Sequence, residues 1–183
     1  AGSHDWIAVS GSPLPVAEAL AWVVTPECGA VVTFAGTVRD HSPGRPGVSL
    51  LEYEAYEEQA IERLANVAAD ARDRWPRIGR LALLHRTGAL KVTEIAVVVV
   101  VATPNRPDAF AAARFCIDTL KATVPIWKRE TWTGGSDWSD SEAPSHHFGS
   151  GFVLDLHDDE HGDHRREIGD PAPTAVHSSA TDR

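Results

Sequence analysis

Two cysteines are all that 183 residues carry. Cys28 and Cys116 cannot build a disulfide framework, and their spacing fits no zinc motif, so a small secreted scaffold and a zinc ribbon are both excluded. Long apolar runs are missing as well. The longest, Ile95 to Ala102, is strand-sized and falls far short of the ~20 residues of a membrane span. There is no basic excess: 17 Lys and Arg stand against 26 Asp and Glu, for a formal net charge of −9. Nucleic acid is therefore not an expected partner. No charged-then-apolar leader opens the sequence, and Ala1 to His4 is assigned no role. A reducing, cytoplasmic setting without membrane attachment is the expectation.

What the chain does have is 43% hydrophobic and 23% charged residues, which suits one globular domain with a real core. The negative charge is unevenly placed. Residues 139–183 hold 10 acids and 3 arginines, whereas residues 1–138 hold 16 acids and 14 bases. We expect a compact domain over 1–138, followed by an acidic, His-rich, largely irregular tail over 139–183. The tail carries His146, His147, His157, His161, His164 and His177. On a helix His157 and His161 would share a face, which leaves a metal site open as a minor reading. The order is not His-Glu-x-x-His, however, and a solvated polar tail is the simpler account, so no metal is assigned.

Periodicity and turn residues predict strands over 6–9, 30–38, 48–55, 78–85, 94–103 and 124–132. Three helices are predicted: one beginning near Ser12 and ending before Pro26, one over 56–75, and one over 107–122. Their apolar stripes are Val16, Ala19, Leu20 and Val23; Ile61, Leu64, Ala68, Ala71 and Trp75; and Phe110, Ala113, Ile117 and Leu120. The run Val97 to Val101 points to a strand buried on both faces. Residues 42–47, rich in Gly and Pro, read as a loop able to move, and 86–90 as a turn or short hairpin. The neighbouring strands 30–38 and 48–55 predict an antiparallel hairpin. The fold class is α+β, a mixed sheet with about three helices packed on it.

Chemistry concentrates in four cations and a few histidines. Pro125 lies between Lys121 and Lys128. Proline disfavours helix for the residue before it, so the helix stops near Thr123, with Lys121 in its last turn and Lys128 on the following strand. By themselves these are two solvated lysines. Arg39 follows one buried strand, and Arg106 follows another and opens a helix. If the four converge at one rim, they form a pocket for phosphate or carboxylate, to which Asn105 and Arg106 add backbone N–H groups at a helix start. Each arginine alone reads as a surface ion pair. His41 is either a substrate contact or an exposed loop histidine. His85 is either a packed, hydrogen-bonded histidine or a support for the pocket. Cys116, mid-helix beside Phe115 and Ile117, reads as a buried small hydrophobe rather than a nucleophile. There is no serine elbow and no phosphate-cradling glycine loop.

Four segments carry a resemblance. They are Gly29 to Asp40 (Gly-Ala-Val-Val-Thr-Phe-Ala-Gly-Thr-Val-Arg-Asp), Leu51 to Tyr56 (Leu-Glu-Tyr-Glu-Ala-Tyr), His85 to Gly88 (His-Arg-Thr-Gly), and Lys121 to Glu130 (Lys-Ala-Thr-Val-Pro-Ile-Trp-Lys-Arg-Glu). Together, over roughly residues 5–138, the chain resembles the large, catalytic subunit of molybdopterin synthase, the MoaE family. The resemblance implies an α/β hammerhead-type fold and a homodimer. Each subunit would bind a small ubiquitin-like sulfur carrier, giving a heterotetramer. It also implies a sulfurtransferase of molybdenum cofactor biosynthesis, with no cofactor of its own. Sulfur would move from the carrier's C-terminal Gly-Gly thiocarboxylate to cyclic pyranopterin monophosphate, forming the dithiolene of molybdopterin.

Lys121 and Lys128 fall on the family's two active-site lysines, and Arg39 on its pocket arginine. Arg106 falls on the arginine of a His-Arg-x-x-Ala-Phe motif. Asn105 stands where that motif commonly has histidine; it can hydrogen-bond but cannot transfer a proton near pH 7. Lys121 is assigned the proton or covalent role, and Lys128, Arg39 and Arg106 bind anions. The alternative is a non-catalytic module that binds a ubiquitin-like protein tail, with the lysines as surface charges.

Overall fold

A computed structural model of the chain describes residues 4–138. The tail expected from 139 onward, with its six histidines, lies outside the described residues. Within them the order is β1 (Asp5–Ser10), α1 (Val16–Val23), β2 (Ala30–Thr37), β3 (His41–Ser42), β4 (Arg45–Pro46), β5 (Val48–Ala55), α2 (Glu57–Arg74), β6 (Leu81–Arg86), β7 (Gly88–Lys91), β8 (Ile95–Thr103), α3 (Arg106–Thr123), β9 (Ile126–Trp132) and β10 (Gly135–Trp138). None of these helices is long and apolar enough to cross a membrane.

The valine run organises the first sheet. β8 lies between β6 and β2 and is antiparallel to both, while β1 adds parallel to β6, giving the order β1-β6-β8-β2. Successive side chains on a strand point to opposite faces. Val97, Val99 and Val101 therefore enter a core shared with α2 and α3, and Val98, Val100 and Ala102 enter a second core under α1. Helices on both faces explain the burial on both faces.

Two helical stripes are rotated from the expected ones. On α2 the buried residues are Ala60, Leu64, Val67, Ala68 and Ala71, and Ile61 is exposed. On α3 they are Ala109, Ala112, Ala113, Cys116, Ile117 and Leu120, while Phe110 is 62% exposed. Leu20 of α1 also faces outward. Small side chains let helices approach closely, so the alanine-rich faces make the contact.

The expected hairpin between residues 30–38 and 48–55 does not form. β2 pairs with β8, whereas β5 lies between β9 and β7 in a separate antiparallel sheet of order β10-β9-β5-β7. The mixed sheet is thus only half of the β structure. The chain from Val38 to Gly47 passes from one sheet to the other, over a small core of Val38, Val48, Leu51, Leu90 and Ala96. Residues 41–46, expected as an open loop, form a two-stranded hairpin in which His41 faces Pro46 and Ser42 faces Arg45. Pro43-Gly44 at its tip, with Gly44 at φ +74°, has the residue pattern of a type II turn. Gly47 follows at φ +68°, and a Cβ there would collide with the Thr133 side chain, so no other residue fits between β4 and β5.

Candidate active site

The two four-stranded sheets and the C-terminal end of α3 enclose a cavity of about 430 Å³, within the range of small-ligand sites. The first sheet contributes Gly36, Thr37, His85, Ala96 and Val97, and the second contributes Val48, Leu51, Tyr53, Ile126, Lys128 and Glu130. Arg39 and His41 come from the passage into the β3–β4 hairpin, and Leu120, Lys121 and Val124 from the end of α3.

Local structure explains each placement. On β9 the inward residues Ile126, Lys128 and Glu130 are two apart, as strand alternation requires, and Trp127 and Arg129 point the other way. On β5 a register irregularity between Val48 and Leu50 adds one residue, so Val48 shares a face with Leu51 and Tyr53 despite the odd spacing. Gly36 leaves room for the neighbouring strand, since a Cβ there would lie 2.6 Å from Val97 Cγ1. At the helix end, the Val124 N–H donates to the Leu120 carbonyl at 3.0 Å and Pro125 prevents a further turn. Lys121 is thereby left at the mouth.

Charge in the cavity is unbalanced. Three cations, Arg39, Lys121 and Lys128, face one carboxylate, Glu130. Lys128 Nζ lies 3.2 Å from Glu130 Oε1. The other oxygen, Oε2, accepts from Ser42 Oγ at 2.6 Å and Arg45 Nη1 at 3.0 Å. Burial alone would raise the Glu130 pKa, but the hydrogen bonds from Ser42, Arg45 and Lys128 outweigh it and hold the carboxyl below its usual range. The Arg45 guanidinium also lies over the Trp132 ring at 4.6 Å. Among the described residues Arg39 and Lys121 have no ion-pair or hydrogen-bond partner. They are the uncommitted positive charge of the site.

A second set of groups is neutral. His85 is buried, its Nδ1 lies 2.8 Å from the Arg86 carbonyl oxygen, and its ring meets Tyr53 edge-on at 5.3 Å. A carbonyl only accepts, so Nδ1 carries the proton and Nε2 a lone pair. Burial pushes the His85 pKa down to about 4, opposed in part by the Arg86 hydrogen bond. Burial, with the Glu130 carboxylate adding to it, pushes the Tyr53 pKa up to about 12.

Of the residues singled out in the sequence, Lys121, Lys128, Arg39 and His41 line this one cavity, and His41 Nδ1 lies 2.7 Å from Asp40 Oδ1. Asn105 and Arg106 do not join them. They sit at the opposite end of α3 from Lys121, about 22 Å away along the axis at 1.5 Å per residue. Asn105 caps that helix: its Oδ1 accepts from the Asp108 N–H at 3.0 Å and its Nδ2 donates to Asp108 Oδ2 at 2.6 Å. The expectation of four convergent cations within one chain is corrected to three. Cys116 is buried, outside the cavity, with its thiol pKa pushed up to about 12 mainly by burial and further by Asp5, consistent with the reading as a packed hydrophobe. No group of three or more His, Cys, Asp or Glu side chains placed to hold a metal occurs among the described residues.

Glu130, Ser42, Arg45 and Tyr53 were not singled out in the sequence. For Glu130 a signal existed. It lies two residues after Lys128, on the same strand face, where a carboxylate directed inward needs cationic partners.

Comparison with known proteins places this geometry. The family model described as MoaE protein matches residues 9–123. The chain is 45% identical over 133 residues to the molybdopterin synthase catalytic subunit of Nostoc sp., covering 73% of this chain and 80% of that protein. It is 42% identical over 137 residues to molybdopterin synthase catalytic subunit 1 of Mycobacterium tuberculosis, covering 75% and 92%. Among solved structures, the molybdopterin synthase of Staphylococcus aureus superposes with a TM-score of 0.69 at 33% identity, over 76% of this chain and 98% of that one. A complex of subunits 1 and 2 of the molybdopterin-converting factor from Helicobacter pylori shares the fold, with a TM-score of 0.60 at 20% identity.

Proposed function

The chain belongs to the MoaE family, the catalytic subunits of molybdopterin synthase, and from that premise we propose that the cavity between its two sheets is where sulfur transfer takes place. The enzyme takes sulfur from the C-terminal thiocarboxylate of a small ubiquitin-like carrier and delivers it to cyclic pyranopterin monophosphate, building the dithiolene of molybdopterin. Both reactants are anions. The observation that carries the site assignment is the pair of uncommitted cations, Arg39 and Lys121, beside the Glu130-anchored Lys128. Fixed cations allow two anions to meet and stabilise charge that develops in the transition state.

The thiocarboxylate sulfur attacks a carbon of the pyranopterin, and as that carbon–sulfur bond forms a carbon–oxygen bond at the same carbon breaks, its oxygen leaving with a proton. Water then adds to the acyl carbon of the resulting thioester, and the tetrahedral oxyanion collapses with cleavage of the acyl carbon–sulfur bond, leaving a thiolate on the pterin and a carboxylate on the carrier. Lys128, fixed by Glu130, suits the anion-binding role, with Arg39 beside it. Lys121, whose amine no carboxylate among the described residues holds, suits the proton or covalent role. His41, on the hairpin that lines the cavity, is assigned the role of a substrate contact. Arg106 cannot reach the cavity of its own chain, so its anion-binding role requires a second copy, as in the homodimer expected for the family; Asn105 then acts by capping the helix that presents it. The reading as a non-catalytic platform gains no support, since the curated relatives are named catalytic subunits. The assignment further takes residues 1–138 as the catalytic domain and 139–183 as an appended acidic tail, in a cytoplasmic enzyme.

The test is single-turnover sulfur transfer from a thiocarboxylated carrier to cyclic pyranopterin monophosphate. Lys121→Ala is expected to lower the rate by about 10²-fold or more, the usual contribution of a positioned acid or base, with carrier affinity unchanged. An unaltered rate would overturn the assignment.

A further inference from the structure

The cavity has a part that the transfer chemistry does not use. Its exposed end holds the cations Arg39 and Lys121. Its buried end holds Tyr53 and His85 among Leu51, Ala96 and Val97. Neither Tyr53 Oη nor His85 Nε2 has a hydrogen-bond partner among the described residues, and neither is sealed from solvent. Both side chains line the same cavity with their rings 5.3 Å apart, so a donor and an acceptor not used by the protein are open to a ligand that can meet both.

We propose that Tyr53 Oη and His85 Nε2 form a neutral donor–acceptor subsite that holds the carbonyl and N–H edge of the pyranopterin ring while its phosphate lies toward the cations. This rests on the functional reading above. His85 is fixed for the task, because its Nδ1–H is committed to the Arg86 carbonyl at 2.8 Å and Nε2 is left as the acceptor. Tyr53 supplies the complementary O–H. A pterin ring presents a carbonyl acceptor and N–H donors side by side, so one ring edge satisfies both groups at once. The carrier's tail is the other possible occupant, since peptide groups also carry N–H and C=O. Its reactive group is its last atom, however, and that atom stops at the cations. The rest of the tail trails outward, leaving the buried end to the heterocycle. Neutral recognition in an apolar surround also gives selectivity, because a ring lacking either group would leave a buried polar atom unpaired.

The experiment is calorimetric titration of the full chain with cyclic pyranopterin monophosphate and, separately, with the carrier. Tyr53→Phe, which removes one oxygen and nothing else, is expected to weaken pyranopterin binding roughly three- to tenfold, the worth of one neutral hydrogen bond. His85→Leu is expected to weaken it comparably, and His85→Gln, which keeps an acceptor, to restore part of the loss. Carrier affinity stays at the wild-type value throughout. Tyr53→Phe decides the matter if His85→Leu fails to fold. Wild-type pyranopterin affinity in Tyr53→Phe, or a loss confined to the carrier, overturns the subsite. If the wild-type chain transfers sulfur normally in that case, only the subsite falls; if it transfers none, the functional reading falls first.

Discussion

Replacing Glu130 with glutamine keeps the shape of the side chain and removes its charge. The carboxylate is almost wholly buried, at 4% side-chain exposure, and meets Lys128 and Arg45, which are 27% and 22% exposed, as well as the Ser42 hydroxyl. Hydrogen bonds to a charged group are worth about 1.5–3 kcal/mol each, and removing one partner of a buried pair costs more. Glutamine still offers one acceptor oxygen, and both cations reach some solvent, so we expect a loss of about 2 kcal/mol near neutral pH. For a domain of this size that lowers Tm by roughly 6–8 °C.

The pH dependence gives the sharper signature. The folded-state pKa of Glu130 lies below its ordinary 4.5, so its contribution is fully present above that value and is lost as pH falls through the folded pKa. Wild type and Glu130→Gln should therefore differ most near neutrality and converge on acidification. The assay is thermal or urea unfolding of both proteins at a series of pH values from about 7 down to about 3. A Tm within about 2 °C of wild type near neutrality, or a gap that persists undiminished to the lowest pH, would refute the reasoning.

Two further expectations concern the far end of α3. Asn105→Ala removes the cap on Asp108 and should cost about 1 kcal/mol, read as a lowered urea midpoint with an unchanged m-value; an unmoved midpoint would show that the cap carries no stability. Arg106→Ala should abolish most sulfur transfer while leaving the urea midpoint at the wild-type value. Mixed with Lys121→Ala chains under conditions that exchange subunits, it should recover about a quarter of the wild-type rate, since in a randomly paired two-fold dimer one pocket in four has both residues intact. No recovery on mixing would remove Arg106 from the pocket of a second copy.

Much of this architecture is legible residue by residue, and the remainder fails for identifiable reasons. The valine run predicts a strand buried on both faces because alternation alone dictates it, and Pro125 predicts the end of α3 at Thr123 because of its ring. Strand partners are another matter. Nothing in residues 30–38 or 48–55 states that one pairs with Val97 to Val101 and the other with Ile126 to Trp132; that is settled by how helices cover the first sheet. Weighting the largest apolar residues, Ile61 and Phe110, points to the wrong helical faces, because the contact surfaces are rich in alanine. For the site, Lys121, Lys128 and Arg39 were readable because each sits at an element boundary with a resemblance behind it. Ser42 and Arg45 were not, because their role exists only once the hairpin folds over β9, and Glu130 showed only its spacing from Lys128. Asn105 and Arg106 are expected at the same rim from their place between a strand end and a helix start and from a motif, whereas the length of one helix puts them elsewhere.

The walls of the cavity belong to sheets that share no ladder of hydrogen bonds. Away from the short links through Thr87 and residues 92–94, which tie β7 to β6 and β8, its width is set by side chains meeting across a seam. Widening such a seam exchanges apolar contacts and leaves every amide in both ladders with its partner, so amide exchange would register nothing as the sheets part. A distance label on each side, one on β8 and one on β9, would register it at once. The site thus lies where two hydrogen-bonded panels meet, and a fused pyranopterin ring system is expected to load that joint before it loads either ladder.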